Sequence, residues 1–147
     1  MIVADTGAIV ALLDAGDRHH ASLREIYMSD PDSWVLPWAV LPEVDYLVAT
    51  QLGGKAEEMF LADLAGGAFG VEWGQESDLN AAKRICQQYA DLQLGLVDGV
   101  VIATAERIGA SAVATLDLQI EIANHPVVAV ALADAAQLDH AFAAALP

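Results

Sequence analysis

The chain has one cysteine, Cys86, and only six lysines and arginines in 147 residues. A lone cysteine excludes an intrachain disulfide framework and fits a reducing compartment. With no second cysteine and only four histidines, the soft ligands of a structural zinc site are missing. Six cationic side chains against 21 acids give a formal net charge of −15. That balance argues against a broad basic face for nucleic acid and against docking on an anionic membrane. It does not exclude a small metal-loaded site acting on phosphates. Long apolar runs are missing too: the run over 99–105 lies between Asp98 and Glu106, and the run over 126–133 stops at Asp134. Both fall short of the roughly 20 residues that span a bilayer. Met1-Ile2-Val3-Ala4-Asp5 has no basic region and meets an acid at its fifth residue, so no secretory signal is expected. The expectation is a soluble, cytoplasmic protein.

What is present describes a folded globule. Hydrophobic residues make up 56% and charged residues 18%, and this length suits one domain with a sizeable core. Short apolar runs alternate with amphipathic segments. Strands are expected over 1–4, 34–36, 69–73, 112–116 and 127–130. Helices are expected over 6–13, 17–28, 39–52, 55–64, 77–89, 97–108 and 134–144, with Gly53-Gly54 and Gly109 as stops. Strand alternating with helix points to an α/β sandwich around a mostly parallel sheet. Ligands of such open sheets bind outside the carboxyl ends of the strands, so the residues ending each strand are the ones to inspect.

Asp5 follows Ile2-Val3-Ala4, and Asp117 follows Val113-Ala114-Thr115-Leu116. Glu43 lies a few residues beyond the 34–36 strand. Asp98 sits in an apolar run, Leu94-Gly95-Leu96-Val97-Asp98-Gly99-Val100, where an acid is costly to bury unless something neutralises it. Divalent Mg²⁺ or Mn²⁺ would do so, since both prefer hard oxygen ligands. The plainer reading is that Asp5 and Asp117 cap the helices after them, while Asp98 and Glu43 are first-turn acids favoured by the helix dipole. Spacing alone leaves both readings open. Other chemistries fail on spacing: Gly54-Lys55 lacks the rest of a phosphate-binding loop, no GxGxxG occurs, and Gly7 stands where an Asp-x-Asp phosphohydrolase needs its second acid.

The opening Ile2-Val3-Ala4-Asp5-Thr6, then Leu41-Pro42-Glu43-Val44, then Leu94-Gly95-Leu96-Val97-Asp98 with Ala105-Glu106-Arg107-Ile108-Gly109, and finally Thr115-Leu116-Asp117 together resemble a PIN domain. The ordered set is most similar to the VapC-type toxins of bacterial toxin–antitoxin pairs and covers the chain almost end to end. The resemblance implies a three-layer α/β/α sandwich forming one nuclease domain over 1–147. It implies a Mg²⁺- or Mn²⁺-dependent endoribonuclease that hydrolyses RNA (tRNA, rRNA or mRNA) with an activated water and no covalent enzyme intermediate. Asp5, Glu43 and Asp98 match the metal-binding acids, Asp117 the more variable fourth acid, and Thr6 a position that supports the site. A homodimer and inhibition by a cognate antitoxin are implied as well.

Three positions depart from the family pattern: Gly7 replaces a common serine, Gly99 replaces a small residue with a Cβ, and Leu118-Gln119-Ile120-Glu121 is neither basic nor aromatic. Gly99 is expected to loosen the start of its helix. The cations are scattered, and Arg18, Arg24 and Lys55 are the candidate phosphate contacts. An acidic pocket suits a basic inhibitory segment of the antitoxin, with an Arg or Lys beside Asp5 and Asp98. The alternative is a catalytically weakened PIN module whose task is binding an antitoxin-like partner. Asp45 is expected at the surface or in a dimer contact, His19 and His20 as solvated side chains, and Cys86 as a small buried hydrophobe.

Overall fold

The structure is a computed structural model and describes residues 1–117, Ile120 and the strand Val128–Ala131. Its strands are β1 (Ile2–Ala4), β2 (Trp34–Pro37), β3 (Gly70–Glu72), β4 (Ala112–Thr115) and β5 (Val128–Ala131). Its α-helices are α1 (Thr6–Leu13), α2 (His20–Ser29), α3 (Leu41–Leu47), α4 (Gly54–Gly66), α5 (Glu76–Gln88) and α6 (Leu96–Ile108). The helix expected over 134–144 lies outside the described residues.

The five strands form one sheet in the order β3-β2-β1-β4-β5, with every pairing parallel. Register is set at β1, where Val3 pairs with Val35 on one side and Val113 on the other. The chain steps outward one way from β1 to β3, then crosses to the other side of β1 for β4 and β5. Because parallel crossovers are right-handed, the two directions of travel put their helices on opposite faces. Helices α1 to α4 therefore cover one face, and α5 and α6 the other. Val3, Ala4, Leu36, Val113 and Ala114 are buried between these layers beside Ile9, Leu12, Val101 and Ile102.

Two helices differ from their sequence expectation. The segment 39–52 is a 3-10 turn at Trp38–Val40, then α3, then a π-helical turn at Val48–Leu52. Pro42 in the first turn of α3 has no N–H, and the Thr50 hydroxyl takes the Tyr46 carbonyl at 2.7 Å, so regular i to i+4 bonding is interrupted at both ends. Gly53 ends the turn at φ 93°, a left-handed conformation suited to glycine. Helix α2 starts at His20, three residues later than expected. The Asp17 carboxylate accepts the His19 N–H at 2.6 Å and builds a turn in front of the helix instead of joining it.

Gly99 also departs from expectation. A Cβ built on it would lie 3.0 Å from Cys86 Sγ and 3.1 Å from both Cβ and the carbonyl oxygen of Ala82. Glycine here lets α6 approach α5 closely, so its effect is tight packing, not a loosened helix start. Asp45 is half-buried, with Oδ1 lacking a hydrogen-bond partner among the described residues. Trp34 is fully buried, whereas Trp73 is 74% exposed.

Candidate active site

The order of strands reverses between β1 and β4, and the carboxyl ends of these two strands open the crevice in which ligands of such sheets bind. Asp5 continues β1, its N–H donating to the Ala114 carbonyl at 2.9 Å. It also caps α1, so its side chain is aimed by a strand and a helix at once. Asp5 Oδ1 accepts the Thr6 N–H at 2.6 Å and Oδ2 accepts the Thr115 hydroxyl at 3.0 Å. The same Thr115 oxygen accepts the Asp117 N–H at 2.9 Å. Thr115 thus links the first and fourth acids, at the end of β4, where its hydroxyl can accept the N–H two residues on as in an ST-turn.

Glu43 comes from the first turn of α3, on the helical layer built by α1 to α4. Its Oε2 accepts the Thr6 hydroxyl at 2.6 Å. Asp98 comes from the first turn of α6, on the opposite layer, where Oδ2 accepts the Gly95 N–H at 2.7 Å. Capping and site-building are therefore the same geometry here: Asp5 and Asp98 satisfy helix-end N–H groups while facing a shared space. That space is a cavity of about 610 Å³ lined by all four acids with Thr6, Gly7, Leu47 and Leu116.

Among the described residues no cationic side chain lines the cavity. Burial pushes the Asp5 carboxyl up to about 6, and the charges of Asp98 and Asp117 push the same way against the hydrogen bonds from Thr115 and Thr6. The Asp98 carboxyl is also raised, first by burial and then by Asp117 and Glu43, with the Gly95 N–H opposing. Among the described residues no three His, Cys, Asp or Glu side chains converge closely enough to hold a metal ion by themselves.

The structure gathers Asp5, Thr6, Glu43, Asp98 and Asp117 but does not bring Arg18, Arg24 or Lys55 to the cavity wall. Arg18 is exposed and donates to His19 Nε2 at 2.8 Å. Arg24 lines a second cavity of about 280 Å³ with His20, Tyr27 and Asp63. Lys55 is exposed at the start of α4. His19 and His20 are half-buried, not solvated as expected, and His20 Nδ1 has no hydrogen-bond partner among the described residues. Leu47, Leu116 and the bridging Thr115 had no assigned role in the sequence reading.

A doubly wound parallel sheet with acids from both helical layers at its switch point defines an α/β protein with a carboxylate-lined site. Residues 2–126 match the family model of the PIN domain. Ribonuclease VapC26 of Mycobacterium tuberculosis is 34% identical over 126 residues, spanning 86% of this chain and 93% of that protein. The structure of VapC20 of Mycobacterium tuberculosis, a sarcin-ricin loop cleaving toxin, superposes with a TM-score of 0.76 at 22% identity, covering 84% of this chain and 95% of the other. FitAcB from Neisseria gonorrhoeae superposes with a TM-score of 0.64 at 22% identity, covering 88% and 96%. The chain belongs to the PIN-domain family and is of the VapC type. Among the described residues no helix is long and apolar enough to cross a membrane.

Proposed function

We propose that the chain is the endoribonuclease toxin of a toxin–antitoxin pair, hydrolysing RNA phosphodiester bonds at a carboxylate site that holds Mg²⁺ or Mn²⁺. One observation carries this reading: four carboxylates from separate elements share a cavity that, among the described residues, no cationic side chain lines. The name of the VapC26 relative, a ribonuclease, supports the substrate class. The donor set fits a hard cation, being all oxygen. Among the described residues no three acids converge, so Asp5, Glu43, Asp98 and Asp117 would hold the ion partly through water, the usual habit of Mg²⁺. Bound cations supply a nucleophilic water at neutral pH and offset charge on the leaving oxygen.

The chain's own residues orient and exclude. Thr6 and Thr115 fix the carboxylates of Glu43 and Asp5 by donating hydrogen bonds, so both stay acceptors toward the cavity. Gly95 does the same for Asp98. Leu47 and Leu116 give the cavity apolar walls, against which a ribose or base can pack while water is displaced. Arg18, Arg24 and Lys55 lie outside the cavity, where they can meet only phosphates remote from the cleaved bond. The cavity's acidic lining also suits an Arg or Lys from a cognate antitoxin, and a homodimer fits the family. An antitoxin whose basic residue is changed to Ala should lose inhibition; unchanged inhibition counts against that contact.

The deciding experiment incubates total cellular RNA with antitoxin-free protein and Mg²⁺ or Mn²⁺, beside an Asp98→Asn control, and maps new RNA ends by sequencing. Discrete ends that require metal and vanish in the control establish the nuclease. Their absence would instead assign the chain to partner binding without cleavage.

A further inference from the structure

Asp98 owes its position to the first turn of α6, and that turn is held from outside by α5. Gly95 is engaged on both sides: its N–H donates to Asp98 Oδ2 at 2.7 Å, and its carbonyl accepts from Cys86 Sγ at 3.4 Å. One residue past Asp98, Gly99 leaves space that the same sulfur occupies, so that a Cβ there would approach Sγ to 3.0 Å. The far end of the helix pair is pinned independently. Arg107 near the end of α6 binds Asp78 at the start of α5 at 2.7 Å and Glu72 of β3 at 3.1 Å. At the other end Cys86, with Ala82, packs α5 against the start of α6 at Gly99.

We propose that Cys86 is a positioning residue for Asp98. Its thiol, seated between the Gly95 carbonyl and Gly99, holds the α6 start so that the Gly95 N–H meets the Asp98 carboxylate at the cavity wall. The inference rests on the metal-site reading above. A thiol is a weak donor, so its size matters as much as its hydrogen bond. A larger side chain collides with Gly99, and alanine removes the thiol's contact, leaving the Gly95 carbonyl with the Gly99 N–H at 3.0 Å alone. Outer-shell contacts of this kind orient ligands without touching them.

Two readouts on the intact chain test it: hydrogen exchange of the Gly95 amide in metal-free protein, and Mn²⁺ affinity by calorimetry. Cys86→Ala is expected to speed Gly95 exchange on the order of tenfold while mid-α6 amides keep their protection. It should weaken Mn²⁺ binding by about tenfold, and Cys86→Ser, which keeps a donor, should recover most of both effects. Gly99→Ala should weaken Mn²⁺ binding less in a Cys86→Ala background than in the wild type, because removing the sulfur makes room on that side. Unchanged Gly95 exchange and Mn²⁺ affinity in Cys86→Ala would overturn the proposal. So would a general loss of protection along α6 that serine fails to restore, since that marks ordinary packing. If wild-type protein binds no Mn²⁺ while Gly95 exchange still responds to Cys86→Ala, the metal reading fails and the Cys86 contact stands.

Discussion

Thr6 and Glu43, 37 positions apart, are joined by a 2.6 Å hydrogen bond from Thr6 Oγ1 to Glu43 Oε2. Thr6 is 6% exposed, and its N–H is engaged by Asp5. One residue therefore couples the orientation of two acids, through its backbone to one and its hydroxyl to the other.

Thr6→Val should leave Asp5 in place and release Glu43. The loss of one charge-assisted bond predicts about a tenfold fall in kcat/KM for RNA cleavage. Since the hydroxyl acts through Glu43, Thr6→Val combined with Glu43→Gln should be little worse than Glu43→Gln alone. Fully additive losses would show that Thr6 acts on something else.

Asp5 makes the metal-free protein sensitive to pH in a definite direction. Its carboxyl lies at about 6 in the fold against an ordinary 3.8, so the folded chain holds this proton more tightly than the unfolded one. Between about pH 4 and 6 stability should fall as pH rises, by on the order of 3 kcal/mol from this group. Asp98, also raised, works in the same sense. Asp5→Asn keeps a good helix cap and removes the charge, so its Tm in chelator should be higher at pH 7 and flatter across that window. Mn²⁺ should raise the wild-type Tm more than that of Asp5→Asn. Parallel Tm profiles for the two proteins would refute the cost of burying the Asp5 charge beside Asp98 and Asp117.

Gly7 has room for a side chain. A Cβ there would stand 3.8 Å from Asp5 Oδ2 and 3.9 Å from Leu116 Cβ, both ordinary contacts. Gly7→Ser should fold at least as well as the parent, since glycine within α1 costs about 0.5–1 kcal/mol relative to better helix formers. Its hydroxyl can donate to the Asp5 carboxylate and favour the charged form. The acid limb of the pH–rate profile should then move to lower pH and Mn²⁺ binding should tighten, with Gly7→Ala as the control for bulk alone. An effect equal in Ser and Ala would exclude the hydroxyl as its cause.

The ion network at the other end of the helix pair is structural. Asp78 is 3% exposed; burial pushes its carboxyl up, but bonds from Arg107 and the Gln75 N–H outweigh that and hold it below the ordinary value. Arg107→Met strands this charge and should cost about 3–5 kcal/mol in urea unfolding at pH 7. The pair's contribution is present at neutral pH and disappears as pH falls below the ordinary carboxylate range, so the variant's deficit should shrink toward pH 3. Adding Asp78→Asn should recover part of the loss, because no buried charge is then left alone.

Much of the fold was legible in the chain because its signals are local. Helix α1 runs over Thr6–Leu13 as its apolar spacing predicts, and α6 stops at Gly109. The break-up of 39–52 escaped because it depends on Pro42 and Thr50 competing for backbone partners, which apolar periodicity does not register. Arg107 looked like one of six scattered cations, yet it pairs with a buried Asp78 that no helical pattern distinguishes from a surface acid.

The sequence by itself determined the alternation of strand and helix, the placing of Asp5 and Asp117 at strand ends, and the large excess of acid. All three follow from neighbours within a few residues or from composition. Only the tertiary structure decided that Thr115 reaches Asp5 across 110 positions, that Thr6 meets Glu43, and that α5 presses its one thiol against the turn carrying Asp98. Thr115 reaches Asp5 because the direction of travel reverses at β1 and seats β4 beside it, whereas Thr6 meets Glu43, and Cys86 meets Gly95, through helix packing within one layer. The reversal also brings acids from both helical layers to the carboxyl ends of the central strands, a consequence of chain path that no local spacing encodes.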